Sequence, residues 1–223
     1  MNEIRRLLVL GGTGFVGRAL AARWSAAVPG GLLRVPTRAP RRGRALALLP
    51  GMQLIEADVH DPAALDALLA GVDAVVNLVA ILHGSPVQFE RAHVALPRQL
   101  AAACARAGVR RLVHVSALGV PEGEPDGAPS HYLRSKARGE QVLRAAPDLA
   151  LTVLRPSVIF GAEDRFIRLF AGLQAALPVM ALAGHAARFQ PVWVEDVAEA
   201  IVRCLRDART VGQTIECAGP DVN

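Results

Sequence analysis

A chain of 223 residues is long enough for one large α/β domain, with or without a small appended lobe. At that size roughly 70 to 75 per cent of the unfolded surface is buried on folding, so no disulfide framework is needed. Cys104, Cys204 and Cys217 are widely spaced and form no CxxC pair, so we read them as small apolar residues in a reducing compartment and expect no metal site. The net charge of +5 does not indicate nucleic acid, because 24 arginines and one lysine are spread along the chain without aromatic interleaving.

The chain opens with Arg5-Arg6 and the apolar run Leu7 to Leu10, which stops at Gly11-Gly12, too soon for a secretory core segment. That run reads as a buried strand, followed by a helix over 16–27. Further strands are expected over 32–36, with Pro36 near a strand end, and over 53–56. A helix over 62–69 has Pro62 in its first turn and Asp61 as its cap. The pattern continues with a strand over 74–79, a helix over 97–107 and a strand over 112–115. The polar stretch 121–127 reads as a surface loop, and a strand is expected over 151–154. The segment 157–192 is rich in Gly, Pro and Arg and reads as the body of a small substrate lobe. A helix over 195–206 and a strand over 214–217 return to the core. Strands alternating with helices predict an α/β, Rossmann-type doubly wound parallel sheet, with residues 1–156 forming the nucleotide-binding part and 157–223 the lobe. No stretch reaches the ~18 uncharged residues of a membrane span, and the expected location is cytoplasmic.

Gly11-Gly12-Thr13-Gly14-Phe15-Val16-Gly17 lies between a buried strand and a helix. Glycines there permit a tight turn, let a pyrophosphate approach the backbone and allow close helix–sheet packing. The amides at the helix start then meet its negative charge. About 20 residues further on, where a carboxylate would hold an adenosine ribose 2′-hydroxyl, this chain has Thr37-Arg38, with Arg41, Arg42 and Arg44 nearby. Arginine would attract a 2′-phosphate, so the sequence favours NADP(H) over NAD(H).

The chain has one tyrosine and one lysine, and they stand four residues apart, as Tyr132 and Lys136. A helix puts both on one face. An ammonium near a phenol is expected to lower its pKa from about 10, making it a usable general acid or base. Ser116 follows the fifth strand at the same end of the sheet, where its hydroxyl would hold a substrate oxygen, or where it would merely form a turn.

The glycine loop, Ser116 and Tyr132-x-x-x-Lys136, with the strings His131 to Lys136, Leu154 to Gly161, Glu163 to Phe166, Gln190 to Val197 and Ala218-Gly219-Pro220, resemble the short-chain dehydrogenase/reductase superfamily. The resemblance is to its extended or atypical, NAD-dependent epimerase/dehydratase-like branch. Within that branch, the series is similar to the subgroup containing the dehydrogenase-like accessory subunit of respiratory complex I. By this resemblance Gly11 to Gly17 would take the pyrophosphate and Arg38 the ribose phosphate. Asp58 and Val59 would border the adenine, Val79 and Ala80 would lie under the cofactor, and Pro156, Ser157 and Val158 would face the nicotinamide. Ser116, Tyr132 and Lys136 would form the proton relay, and His83 and Arg165 would line the substrate space. The resemblance implies an oxidoreductase or epimerase acting on a small carbonyl or alcohol. Its alternative is a cofactor-stabilised accessory or assembly protein, peripherally associated with a membrane respiratory complex.

Overall fold

The computed structural model describes residues 3–162 and 190–220. Nine strands are described: β1 (Arg6–Leu10), β2 (Leu32–Thr37), β3 (Met52–Glu56), β4 (Ala74–Asn77), β5 (Arg111–Val115), β6 (Ala150–Pro156), β7 (Ile159–Phe160), β8 (Val192–Trp193) and β9 (Thr214–Cys217). The helices are α1 (Phe15–Ala27), α2 (Pro62–Leu69), α3 (Pro86–Glu90), α4 (Leu96–Ala107), α5 (His131–Arg144) and α6 (Val194–Arg206). Seven strands form one parallel sheet in the order β3-β2-β1-β4-β5-β6-β9, and β7 pairs with β8.

Alternating side chains send each strand's apolar residues to opposite faces. Leu7 and Val9 of β1 join Val35, Val76, Val113, Trp24 of α1 and Ile201 of α6 in one core. Leu8 and Leu10 join Val75, Leu112, Leu65 of α2 and Leu100 of α4 in the other. Both faces are therefore covered, which a parallel sheet of continuous apolar strands requires. The order reverses between β1 and β4, and the crevice at such a switch point is where open α/β sheets take ligands.

The expected elements are present with small shifts in their limits, and two departures have identifiable causes. The fourth strand stops at Asn77 instead of running to Val79, because the Asn77 carboxamide oxygen accepts the Val79 N–H at 3.1 Å and turns the chain. Helical structure begins ahead of the expected 97–107 helix, at Pro86, where Ser85 and Gln88 form a reciprocal capping box. Between α3 and α4 the helix widens into a π-turn over Arg91–Ala95. Pro97 has no N–H to return to the His93 carbonyl, so a regular α-helix could not close there. Gly139 of α5 packs at that point, and a Cβ on it would fall on the His93 carbonyl oxygen.

Candidate functional site

All six strands from β1 to β6 are parallel, so the loops after them share one edge of the sheet. The glycine loop follows β1, Thr37-Arg38 lies at the end of β2, and Asp58-Val59 follows β3. Val79-Ala80 follows β4, Ser116 follows β5, and Pro156 to Val158 ends β6. Tyr132 and Lys136 stand on α5. Every one of these residues was singled out in the sequence, and the topology brings them to one edge.

Gly11 has φ +79°, in the left-handed region, and a Cβ there would lie 3.1 Å from the Leu78 carbonyl carbon. The turn therefore presses against the chain leaving β4, at the switch point. Gly12 backs onto Val35, and a Cβ on Gly17 would strike the Gly12 backbone. Gly14 caps α1 without a side-chain bond, and no acidic residue occupies the first helical turn. The first amides of α1 are thus left facing outward with a positive field, a cradle that fits a pyrophosphate. Thr13 is held from behind: its carbonyl accepts Arg18 Nε at 3.2 Å, while Arg18 Nη2 reaches the Arg42 carbonyl at 3.1 Å. Arg18 so staples the phosphate loop to the turn after β2.

Arg38 is exposed just beyond β2, and Thr37 Oγ1 accepts the Ala39 N–H at 3.1 Å to shape the turn. Asp58 Oδ1 accepts the His60 N–H at 3.0 Å, and its other oxygen lies 4.0 Å from the Arg91 guanidinium. The His60 imidazole is held below its usual range by burial and by the Arg91 and Arg38 charges. Val59 and Val79 pack on the core behind them, whereas Ala80 is exposed. His83 is exposed on the loop before α3, and Arg165 with its neighbours Glu163, Asp164 and Phe166 lies outside the described residues.

Lys136 is 1% exposed and donates to the Val115 carbonyl at 2.8 Å, tying α5 to the end of β5. Burial pulls its pKa down to about 8, against the upward pull of Glu140 one helical turn on. Ser116 is held by its N–H on the Leu154 carbonyl at 2.7 Å. Its hydroxyl is buried and has no hydrogen-bond partner among the described residues. The expectation that Lys136 lowers the Tyr132 phenol pKa is corrected: burial pushes it up. The ammonium is engaged with Val115, while the phenol lies in an aromatic niche, its ring 5.5 Å from His93 and 6.4 Å from Phe89.

Sequence reasoning missed the buried polar residues behind the site. His93 and Ser135 are hydrogen-bonded at 2.8 Å, and Asn77 Nδ2 meets His114 Nδ1 at 3.2 Å. Glu140 takes a bidentate pair from Arg155, at 3.1 and 2.9 Å. The signals available were weak: a histidine on an apolar helical face, an asparagine closing an apolar run, and a glutamate four residues after the only lysine.

A parallel sheet with a glycine turn at its switch point and a Tyr-x-x-x-Lys helix over its carboxyl edge defines a Rossmann-type protein of the short-chain dehydrogenase/reductase kind. The NAD dependent epimerase/dehydratase family matches residues 7–218, and the chain belongs to that family. It is 34% identical over 225 residues to the NADH dehydrogenase [ubiquinone] 1 alpha subcomplex subunit 9, mitochondrial, of Arabidopsis thaliana, covering 96% of this chain and 54% of that protein. It is 33% identical over 218 residues to the (4-alkanoyl-5-oxo-2,5-dihydrofuran-3-yl)methyl phosphate reductase of Streptomyces griseus, covering 96% and 68%. The chain thus spans about half the length of the complex I subunits it matches. Among solved structures, UDP-glucuronic acid 4-epimerase from Bacillus cereus in complex with NAD superposes with a TM-score of 0.82 at 20% identity, covering 97% of this chain and 79% of that one.

Proposed function

We propose that the protein binds a nicotinamide dinucleotide across the switch point and acts as an oxidoreductase or epimerase on a small carbonyl or alcohol. The observation that carries this reading is the buried Ser116 hydroxyl, without a partner among the described residues and set beside the Lys136–Val115 bond. A buried hydroxyl left without a partner costs about 1–3 kcal/mol, which a ligand oxygen would offset.

Gly11 to Gly17 would hold the pyrophosphate, Asp58 and Val59 the adenine side, and Val79, Ala80 and Pro156 to Val158 the nicotinamide side. The bound nicotinamide supplies or accepts the hydride. Ser116 Oγ–H donates to the substrate oxygen and fixes it. Tyr132 Oη, kept protonated by burial, gives its proton to that oxygen in the reductive direction, and the phenolate this leaves takes the proton back when the step reverses. Lys136 spends one hydrogen on Val115 and keeps two for ribose hydroxyls. Arg38 favours NADP(H) through charge-assisted bonds to a 2′-phosphate. We place the protein in the cytoplasm, a reading supported by three free cysteines.

The test is NADPH and NADH consumption with a panel of aldehydes, ketones and sugar nucleotides, in wild type and Tyr132→Phe. The reading expects turnover that falls about 10²- to 10⁴-fold in the variant while NADPH affinity is kept. Equal turnover in both proteins contradicts it.

A second reading is favoured by relatives that are named as complex I subunits over 96% of this chain. In it the nucleotide stabilises an accessory protein that associates peripherally with a membrane respiratory complex. It expects tightly retained nucleotide, no consumption with the panel, and co-purification with that complex.

A further inference from the structure

The only lysine of the chain lies one helical turn before a buried carboxylate and is not paired with it. Glu140 is 2% exposed, and side chains on a helix lean toward its N-terminus, so its carboxylate has the Lys136 ammonium within natural reach. Among the described residues the ammonium donates instead to the neutral Val115 carbonyl, at 2.8 Å. The Glu140 carboxylate turns to β6, where Arg155 Nε donates to one oxygen at 3.1 Å and Arg155 Nη2 to the other at 2.9 Å. Arg144 Nη2 adds a bond to the second oxygen at 3.2 Å. Arg155 immediately precedes Pro156 to Val158, and Glu216 of β9 stands in register beside it. Its bonds to Glu140, with the fields of Glu140, Glu122 and Glu216, hold the guanidinium charged despite burial.

The other titratable groups around Lys136 are uncharged. Burial keeps the Tyr132 phenol protonated on the same helix. His93 of the π-turn and His114 of β5 are held neutral by burial, with the Lys136 charge adding to both. Glu140 is therefore the anion whose field Lys136 meets, and Arg155, helped by the partly exposed Arg144, answers that anion.

We propose that Arg155 is a positioning residue for Lys136: by holding the Glu140 carboxylate on β6, it keeps the ammonium on the Val115 carbonyl, facing the cofactor edge. The use of that ammonium by a ribose rests on the proposed function, whereas the competition for Glu140 belongs to the protein alone. Burial pulls the lysine down to about 8 and Glu140 pulls it up. Releasing Glu140 from Arg155 strengthens the upward pull, and removing the Glu140 charge weakens it.

A single lysine means that 13Cε-labelled lysine gives one resonance, whose titration reads Lys136 directly. Arg155→Met is expected to raise the midpoint by about one pH unit or more, and Glu140→Gln to lower it by at least about half a unit. The double variant, which lacks both charges, is expected to return within about half a unit of wild type. NADPH affinity should fall as pH rises through the lysine midpoint, and in Arg155→Met that fall should begin about one unit higher. A purely structural pair gives a different pattern, because a loosened core lets the lysine into water and raises the midpoint in all three variants. Shifts of one sign in both single variants, or unchanged midpoints, overturn the proposal. So does a wild-type midpoint above pH 10, a result that needs no variant to fold. The resonance requires neither cofactor nor substrate, so its outcome is separate from whether the protein binds NADPH or Tyr132→Phe loses turnover.

Discussion

The ammonium of Lys136 is bonded to the carbonyl of Val115, the residue immediately before Ser116. One contact therefore fixes the height of α5 over the sheet and the direction in which β5 releases the chain. It also places the only lysine in a buried position where its charge is costly, with a pKa of about 8. In the unfolded chain the lysine keeps its proton up to about pH 10.4. Between those values the unfolded state binds more protons, so this group's contribution to stability rises with pH, by up to about 1.4 kcal/mol per unit. Denaturant titrations of wild type and Lys136→Met should show wild type gaining on the variant from pH 7.5 to 9.5. Parallel curves would show that the ammonium is not penalised.

Two buried histidines among the described residues give a dependence of the same sign in a lower pH window. Burial lowers His93 to about 3 and His114 well below its usual value, with the Lys136 charge adding to both. Unfolding lets both take up protons near pH 6.5, so their stabilising contribution is complete above that pH and is lost as pH falls. Unfolding free energy should decline from pH 6.5 to 5 with a slope approaching two protons, and His93→Gln should remove about half of that slope.

Arg155 and Glu140 form a bidentate ion pair with side chains 5% and 3% exposed. Removing one partner leaves the other charge buried and unpaired. Glu140→Ala should therefore cost about 3–5 kcal/mol in chemical unfolding, and Glu140→Leu with Arg155→Met should recover most of it.

Arg38 stands exposed beyond β2 with no carboxylate at the end of that strand. Arg38→Asp should weaken NADPH about tenfold and bring NADH to parity or better, read by fluorescence titration of both nucleotides. An unchanged ratio would assign the preference to other residues.

The fold was legible because its signals are local. The short runs Leu7 to Leu10 and Leu112 to Val115, in alternation with helical patterns, read as buried strands, and glycine spacing at Gly11 to Gly17 marks a turn that backbone chemistry demands. The candidate site followed once topology put the strand ends on one edge. What escaped was side-chain geometry: the Asn77–Val79 turn that ends β4 and the π-turn beside Pro97, which are local, and the His93–Ser135 bond, which spans 42 residues. The upward shift of the Tyr132 pKa escaped for the same reason. Helical spacing to Lys136 was visible, but burial and the competing Val115 carbonyl were not.

The central claim is that bare amides at the start of α1 hold a dinucleotide pyrophosphate. Gly14 has φ −78°, a conformation open to any residue, and among the described residues a Cβ there would meet the Gly11 carbonyl oxygen alone, at 3.1 Å. Gly14→Val should therefore fold while placing its branches where the phosphates approach. NADPH titration should show at least about tenfold weaker binding than wild type. Wild-type affinity in a folded Gly14→Val protein would contradict the account.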